Sequence, residues 1–296
     1  MDTVVGHSAQ KETLWQNREV NTWLLCGKRG IGKATLSHAY ARFLTRSDSL
    51  DSHPDVAIID DETSPIGIDK IRKIKHFLHM SPISAERKIV ILDSIDGLNS
   101  NTINSMLKIL EEPPQHSLIL IISHNLYRVP IVIRSRCMIL SFSKLTLEET
   151  RQVIGLKFPD MNLEDKAVAL YPGIPGMVSE DIDKEITLYE NIIDLIQKKN
   201  VSDTIGNVLE TELPMHKVEY LSLKAIYDTI LSTLRLHESN TNYATEANIL
   251  AMLDKYSKAQ EIFATARKLH IHREATLFRI AEIISNLLKS KNRDIA

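Results

Sequence analysis

Over the first 145 residues, short apolar runs alternate with stretches whose apolar residues recur at helical spacing. Trp23-Leu24-Leu25-Cys26, Val56-Ala57-Ile58-Ile59, Ile89-Val90-Ile91-Leu92, Leu118 to Ile122 and Met138 to Phe142 are near-continuous apolar runs, with Ser141 the single polar residue among them. That is the pattern of strands covered on both faces, as in a parallel sheet between helices. Between them, Leu36, Ala39, Tyr40, Phe43 and Leu44 predict a helix running from Lys33. Ile71, Ile74, Phe77 and Leu78 predict a second helix, capped by Asp69. A third spans 101–111 and stops at Pro113-Pro114. The expected fold class is therefore α/β with a parallel sheet.

After about residue 145 the strand pattern ends. Residues 146–180 read as short helices broken at Pro172-Gly173-Ile174-Pro175-Gly176. From about 185 onward the chain reads as helical, with stripes Ile186, Tyr189, Ile192, Ile193, Ile196 and Leu277, Ile280, Ile283, Ile284, Leu287. Residues 45–53 and 237–245 are polar and read as loops. Three domains follow, at 1–145, 146–182 and 183–296.

Composition changes this picture little. The 296 residues are 43% hydrophobic and 25% charged, with a net charge of −2, so any contact to nucleic acid has to come from a local patch. The basic run Lys70, Arg72, Lys73, Lys75 reads first as a solvated helix face. Two cysteines, Cys26 and Cys137, give neither a disulfide framework nor a zinc cluster. The N-terminus lacks a basic-then-apolar leader and no apolar run is long enough for a bilayer, so a soluble, cytoplasmic protein is expected.

The chemistry concentrates at two points. Gly27-Lys28-Arg29-Gly30-Ile31-Gly32-Lys33 fits G-x-x-x-x-G-K between a predicted strand and a predicted helix. Glycines there let backbone amides wrap a phosphate, and Lys33 would supply a point charge to it. The next position ordinarily carries the hydroxyl that binds magnesium, but here it is Ala34. Thr35 lies about 100° further round the helix and does not substitute. The strand 89–92 delivers Asp93 at its C-terminal end, where ligands sit in such sheets. Ser94 follows it, and a neutral hydroxyl is a poor general base at pH 7.

Together these residues resemble the clamp-loader branch of the AAA+ family. Val4-Val5-Gly6-His7 is similar to the segment that lines the adenine pocket. Asn104-x-x-Leu107-Lys108-x-Leu110-Glu111-Glu112-Pro113-Pro114 is similar to a signature of the branch. Ser135-Arg136-Cys137 matches its arginine-finger motif, Ser123 falls at its sensor-1 position, and Gly173, Pro175 and Gly176 fall in its sensor-2-type turn. Ala266-Arg267-Lys268-Leu269 and Arg273-Glu274-Ala275 also look family-like.

The resemblance implies an AAA+ P-loop domain over 1–145, a helical lid over 146–182 and a helical collar over 183–296. It implies a degenerate nucleotide site at Gly27, Gly30, Gly32, Lys33, Thr35 and Asp93, which requires no cofactor and leaves ATP or ADP binding open, with magnesium weakened. It places Arg136 in trans, on a neighbour's nucleotide. Many relatives carry a four-cysteine zinc module before the acidic strand. Residues 45–60 hold no cysteine, so no zinc is expected, and His53-Pro54-Asp55 resembles a remnant of that neighbourhood. Loss of the hydroxyl and of the base, with the finger motif kept, implies a stator-type subunit without ATPase activity of its own. Its partners would be gamma/tau motor subunits and delta in a hetero-pentamer acting on a sliding clamp and primed DNA. Two other readings stay open: a competent AAA+ ATPase, as in a motor subunit or a Holliday-junction motor, and a nucleotide-gated DNA-binding initiator.

Overall fold

The structure is a computed structural model that describes residues 4–60, 66–161, 164–197, 206, 210–237, 243–269 and 271–285. Contacts divide the chain into two compact units, with the boundary between Ser179 and Glu180.

The first unit is built on five parallel strands: β1 (Thr22–Cys26), β2 (Val56–Asp60), β3 (Lys88–Asp93), β4 (Ser117–Ser123) and β5 (Met138–Ser141), in the order β2-β3-β4-β1-β5. The three central strands are apolar on both sides because both sides are covered. Trp23, Leu24 and Leu25 of β1 are fully buried, as are Ile89 to Ile91 of β3 and Leu118 to Ile122 of β4. Each such side chain contributes about 1.5–3 kcal/mol by leaving water. Leu24, Val90, Leu92, Ile119 and Ile121 share one cluster with helices α3 (Ile68–His79) and α4 (Ser100–Glu111). Helix α2 (Lys33–Thr45) packs against β3 and β4, and its Tyr40 hydroxyl donates to the Leu14 carbonyl of α1 (Ser8–Gln16) at 3.1 Å. A 3-10 turn at Leu126–Arg128 and the four-residue α5 (Ile131–Arg134) link β4 to β5. Helices α6 (Leu147–Lys157) and α7 (Glu164–Leu170) then pack on each other, and a 3-10 turn follows at Pro175–Met177.

Several sequence expectations need correction. Asp69 is not a cap: the N-cap is Gly67, and Asp69 lies inside the first turn of α3, 3.2 Å from Arg72. There a carboxylate still favours the helix N-terminus. Phe43 is exposed, and Ala41 is buried on α2. Helix α1 carries no apolar stripe, with Leu14 its one buried residue, so periodicity could not reveal it.

The second unit consists of α8 (Ile182–Ile196), α9 (Met215–His237), α10 (Tyr243–Leu269) and α11 (Arg273–Ser285), with contacts between α8 and α9, α9 and α10, α10 and α11, and α11 and α8. Tyr243 to Thr245, expected in a loop, are helical. Leu287 of the final predicted stripe lies outside the described residues. Glu185 of α8 and Lys217 of α9 form a buried ion pair. No helix of the described residues is long and apolar enough to cross a membrane.

Candidate functional site: a phosphate loop and a held arginine

Strand β1 ends at Cys26 and α2 starts at Lys33, so the loop between them must turn within six residues. It does so through positive φ at Gly27, Gly30 and Gly32. At Gly30 the requirement is double. Its φ is +79°, and a Cβ there would stand 2.8 Å from Met177 Cγ and 2.9 Å from Met177 N. The carbonyl of Gly30 accepts from the Gly176 amide at 2.8 Å, and a Cβ on Gly176 would lie 2.9 Å from Gly30 Cα. The 175–177 turn is thus bound backbone-to-backbone onto the phosphate loop. Gly173, two residues before that turn, takes positive φ, donates to Thr150 Oγ1 at 3.2 Å and accepts from the Leu145 amide at 3.1 Å.

Lys33 is buried. Its Nζ donates to the Gly27 and Lys28 carbonyls, both at 2.7 Å, so the loop satisfies its own cation. Burial lowers the lysine to about 8, while Asp93 and Asp96 pull it back up. Asp93 ends β3 in register with Asp60 of β2. Burial raises its carboxyl above the ordinary value, with Lys33 the largest opposing charge. His7, at the N-terminal side, donates through Nε2 to the Ile31 carbonyl at 2.6 Å and meets the Phe142 ring edge-on at 4.9 Å. Ala34 is half-buried, and Thr35 is exposed.

Ser123 is buried at the end of β4. Its hydroxyl donates to Asp96 Oδ1 at 2.7 Å and accepts from the Asn125 amide at 3.1 Å. Asp96 also accepts from the His124 amide at 2.7 Å. Sequence reading passed over Asp96. The available signal was a second acidic residue three positions after Asp93.

Arg136 belongs to a different cluster. Its Nη1 donates to the Val132 carbonyl at 2.8 Å and to Ser135 Oγ at 3.3 Å, and its Nη2 donates to Glu111 Oε1 at 2.7 Å. None of these partners is in the phosphate loop. Around it, Tyr127, Ile131, Val132, Met138 and Ile139 are exposed apolar residues within a short stretch of chain. Cys137 is half-buried, and burial pushes its thiol up to about 12; burial likewise pushes Cys26 up to about 11. Burial thus favours the protonated thiol, the weakly nucleophilic form, at both. The described residues contain no group of three or more His, Cys, Asp or Glu placed to hold a metal. His53 and Asp55 are instead tied to the 83–85 turn: Asp55 accepts from the amides of Ile83, Ser84 and Ala85 and pairs with Lys88 at 2.9 Å.

Residues 7–146 match the family described as DNA polymerase III, delta subunit. Over 206 residues the chain is 27% identical to DNA polymerase III subunit gamma of Buchnera aphidicola subsp. Acyrthosiphon pisum, covering 63% of this chain and 56% of that protein. It is 29% identical over 150 residues to DNA polymerase III subunit delta' of Pseudomonas aeruginosa, covering 43% of this chain and 46% of that one. It thus spans about half the length of these relatives. With subunit delta' of Buchnera aphidicola subsp. Baizongia pistaciae it shares 23% identity over 81% of its own length and 77% of the relative's. A solved gamma subunit-related protein from Thermotoga maritima superposes with a TM-score of 0.49 at 19% identity, covering 94% of this chain and 99% of that one.

Proposed function

We propose, from the premise that this chain is a DNA polymerase III clamp-loader subunit of the delta-prime type, that it is the stator of the loader. In this reading it helps place a sliding clamp on primed DNA, in the cytoplasm, within a hetero-pentamer of gamma/tau motor subunits and delta. It turns over little or no ATP and acts on a neighbour's nucleotide through Arg136. Residues 146–182 serve as its lid and 183–296 as its collar.

The observation that carries the reading is a division of labour between the two clusters. The phosphate loop keeps Gly27, Gly30, Gly32 and Lys33 but has Ala34 where a magnesium-binding hydroxyl is needed. Asp93 is present, but Ser94 stands where a general base is needed, and losing such a base typically costs about 10²–10⁴-fold. ATP or ADP would be held by the loop amides and Lys33 with little magnesium. Arg136, by contrast, presents a permanently charged planar fork on a stretch bearing exposed apolar side chains. Apolar surface beside a charged fork suits a protein neighbour that brings a phosphate. There the guanidinium would meet charge as it develops on the departing phosphoryl oxygens, an effect worth about 10³–10⁵ in rate elsewhere.

The similarity to gamma subunits favours a second reading, a motor subunit; Ala34 and Ser94 weigh against it. One experiment separates the two. Complexes are reconstituted with the motor and delta subunits and either Arg136→Ala or Lys33→Ala in this chain. Under the stator reading both assemble, Arg136→Ala loads clamps poorly and loses turnover at one neighbouring site, and Lys33→Ala does far less harm. The reverse result makes the chain a motor.

A further inference from the structure

Helix α4 ends at Glu111 because Pro113 and Pro114 cannot continue it. Its last turn, which carries Glu111, therefore has a defined end. That carboxylate receives Arg136 Nη2 at 2.7 Å from a point 25 residues further along the chain. The α5 carbonyl of Val132 and the hydroxyl of the following Ser135 take the other side of the guanidinium, both accepting from Nη1. A guanidinium carries five N–H donors. Three are engaged here, which leaves Nε–H and one Nη2–H with no partner among the described residues. Arginine side chains otherwise lose much rotamer freedom when they bind. A side chain held from two sides before its ligand arrives avoids that loss.

We propose that Glu111 is a positioning residue for Arg136: its carboxylate and the α5 carbonyl hold the guanidinium by Nη2 and Nη1, and the donors left over are the ones that meet a phosphate oxygen of the neighbouring subunit. The two sequence signatures, one ending α4 and one following α5, are then a single device. The side chains of Arg136 and Glu111 are 32% and 47% exposed, so the pair stabilises the fold little. Holding the fork in place is the larger effect, because misplacement of a catalytic group costs rate rather than folding.

This inference rests on Arg136 acting in trans, and its test keeps the two claims apart. The full complex is reconstituted with Arg136→Ala, Glu111→Gln, Glu111→Asp and the double variant Glu111→Gln/Arg136→Ala, and DNA-stimulated ATP turnover is measured against ATP concentration. Glu111→Gln should assemble normally and lower kcat on the order of tenfold with KM little changed. Glu111→Asp should recover part of the loss, and adding Glu111→Gln to Arg136→Ala should cost nothing further. If Arg136→Ala is damaging while Glu111→Gln is silent, raises turnover, or costs the same factor in the Arg136→Ala background, the positioning role is overturned and the finger stands. If Arg136→Ala is itself silent, both claims fall.

Discussion

Asp55 and Lys88 show what one residue pair does for the first unit. Both side chains are buried, and the carboxylate accepts three backbone amides besides the ammonium. Burial alone would raise the Asp55 carboxyl, but the amides and Lys88 together hold it well below the usual carboxylate range. Removing one partner of such a pair leaves an uncompensated buried charge, so Lys88→Ala should cost about 3–5 kcal/mol in urea unfolding followed by the fluorescence of buried Trp23. The sign of the pH dependence follows from the lowered carboxyl. The stabilisation is fully present above about pH 4 and is lost as pH falls toward the folded-state value. Between pH 4 and pH 2, stability should therefore fall less steeply in Asp55→Asn than in the unaltered chain. Little of this was legible in the sequence, where His53-Pro54-Asp55 reads as a remnant of a metal module. The partner Lys88 lies 33 positions away, and no periodicity links the two. Asp96 escaped notice for a similar reason: its role comes from β4 folding back beside it.

At the scale of elements, what the sequence reveals depends on how much of an element is buried. β1, β3 and β4 stand out as unbroken apolar runs because sheet and helices cover both their faces. α1 buries a single leucine, and Tyr243 to Thr245 sit in a polar stretch that only its helical neighbours extend. The contact between the phosphate loop and the 175–177 turn was half legible: both glycine clusters stand out, but nothing in either says that they touch. That contact has no room for a methyl group, so Gly176→Ala should destabilise by about 1–3 kcal/mol and loosen the turn, read as faster amide exchange at Met177 and Val178. Helix α6 offers a milder test. Thr146 and Glu149 cap it reciprocally, and Thr146→Ala should cost about 1 kcal/mol in the same unfolding assay.

For the whole molecule, the division after Ser179 implies that the first unit has its own core and the second has another. A chain cut back to residues 1–182 should unfold cooperatively, with Trp23 as reporter, and under the stator reading proposed above it should fail to co-purify with motor and delta subunits. Normal assembly of that truncated chain would remove the collar assignment. The order of the sheet carries one more consequence. Among the described residues β5 is an edge strand four residues long that pairs with β1, its Ser141 carbonyl accepts from the Gln10 side chain, and its Met138 and Ile139 are exposed. An edge strand with exposed apolar side chains is a template on which another copy can add a strand. The isolated chain should therefore self-associate as its concentration rises. Ile139→Lys should suppress the concentration-dependent aggregation of the isolated chain in light scattering, because a cation on an edge strand blocks such pairing.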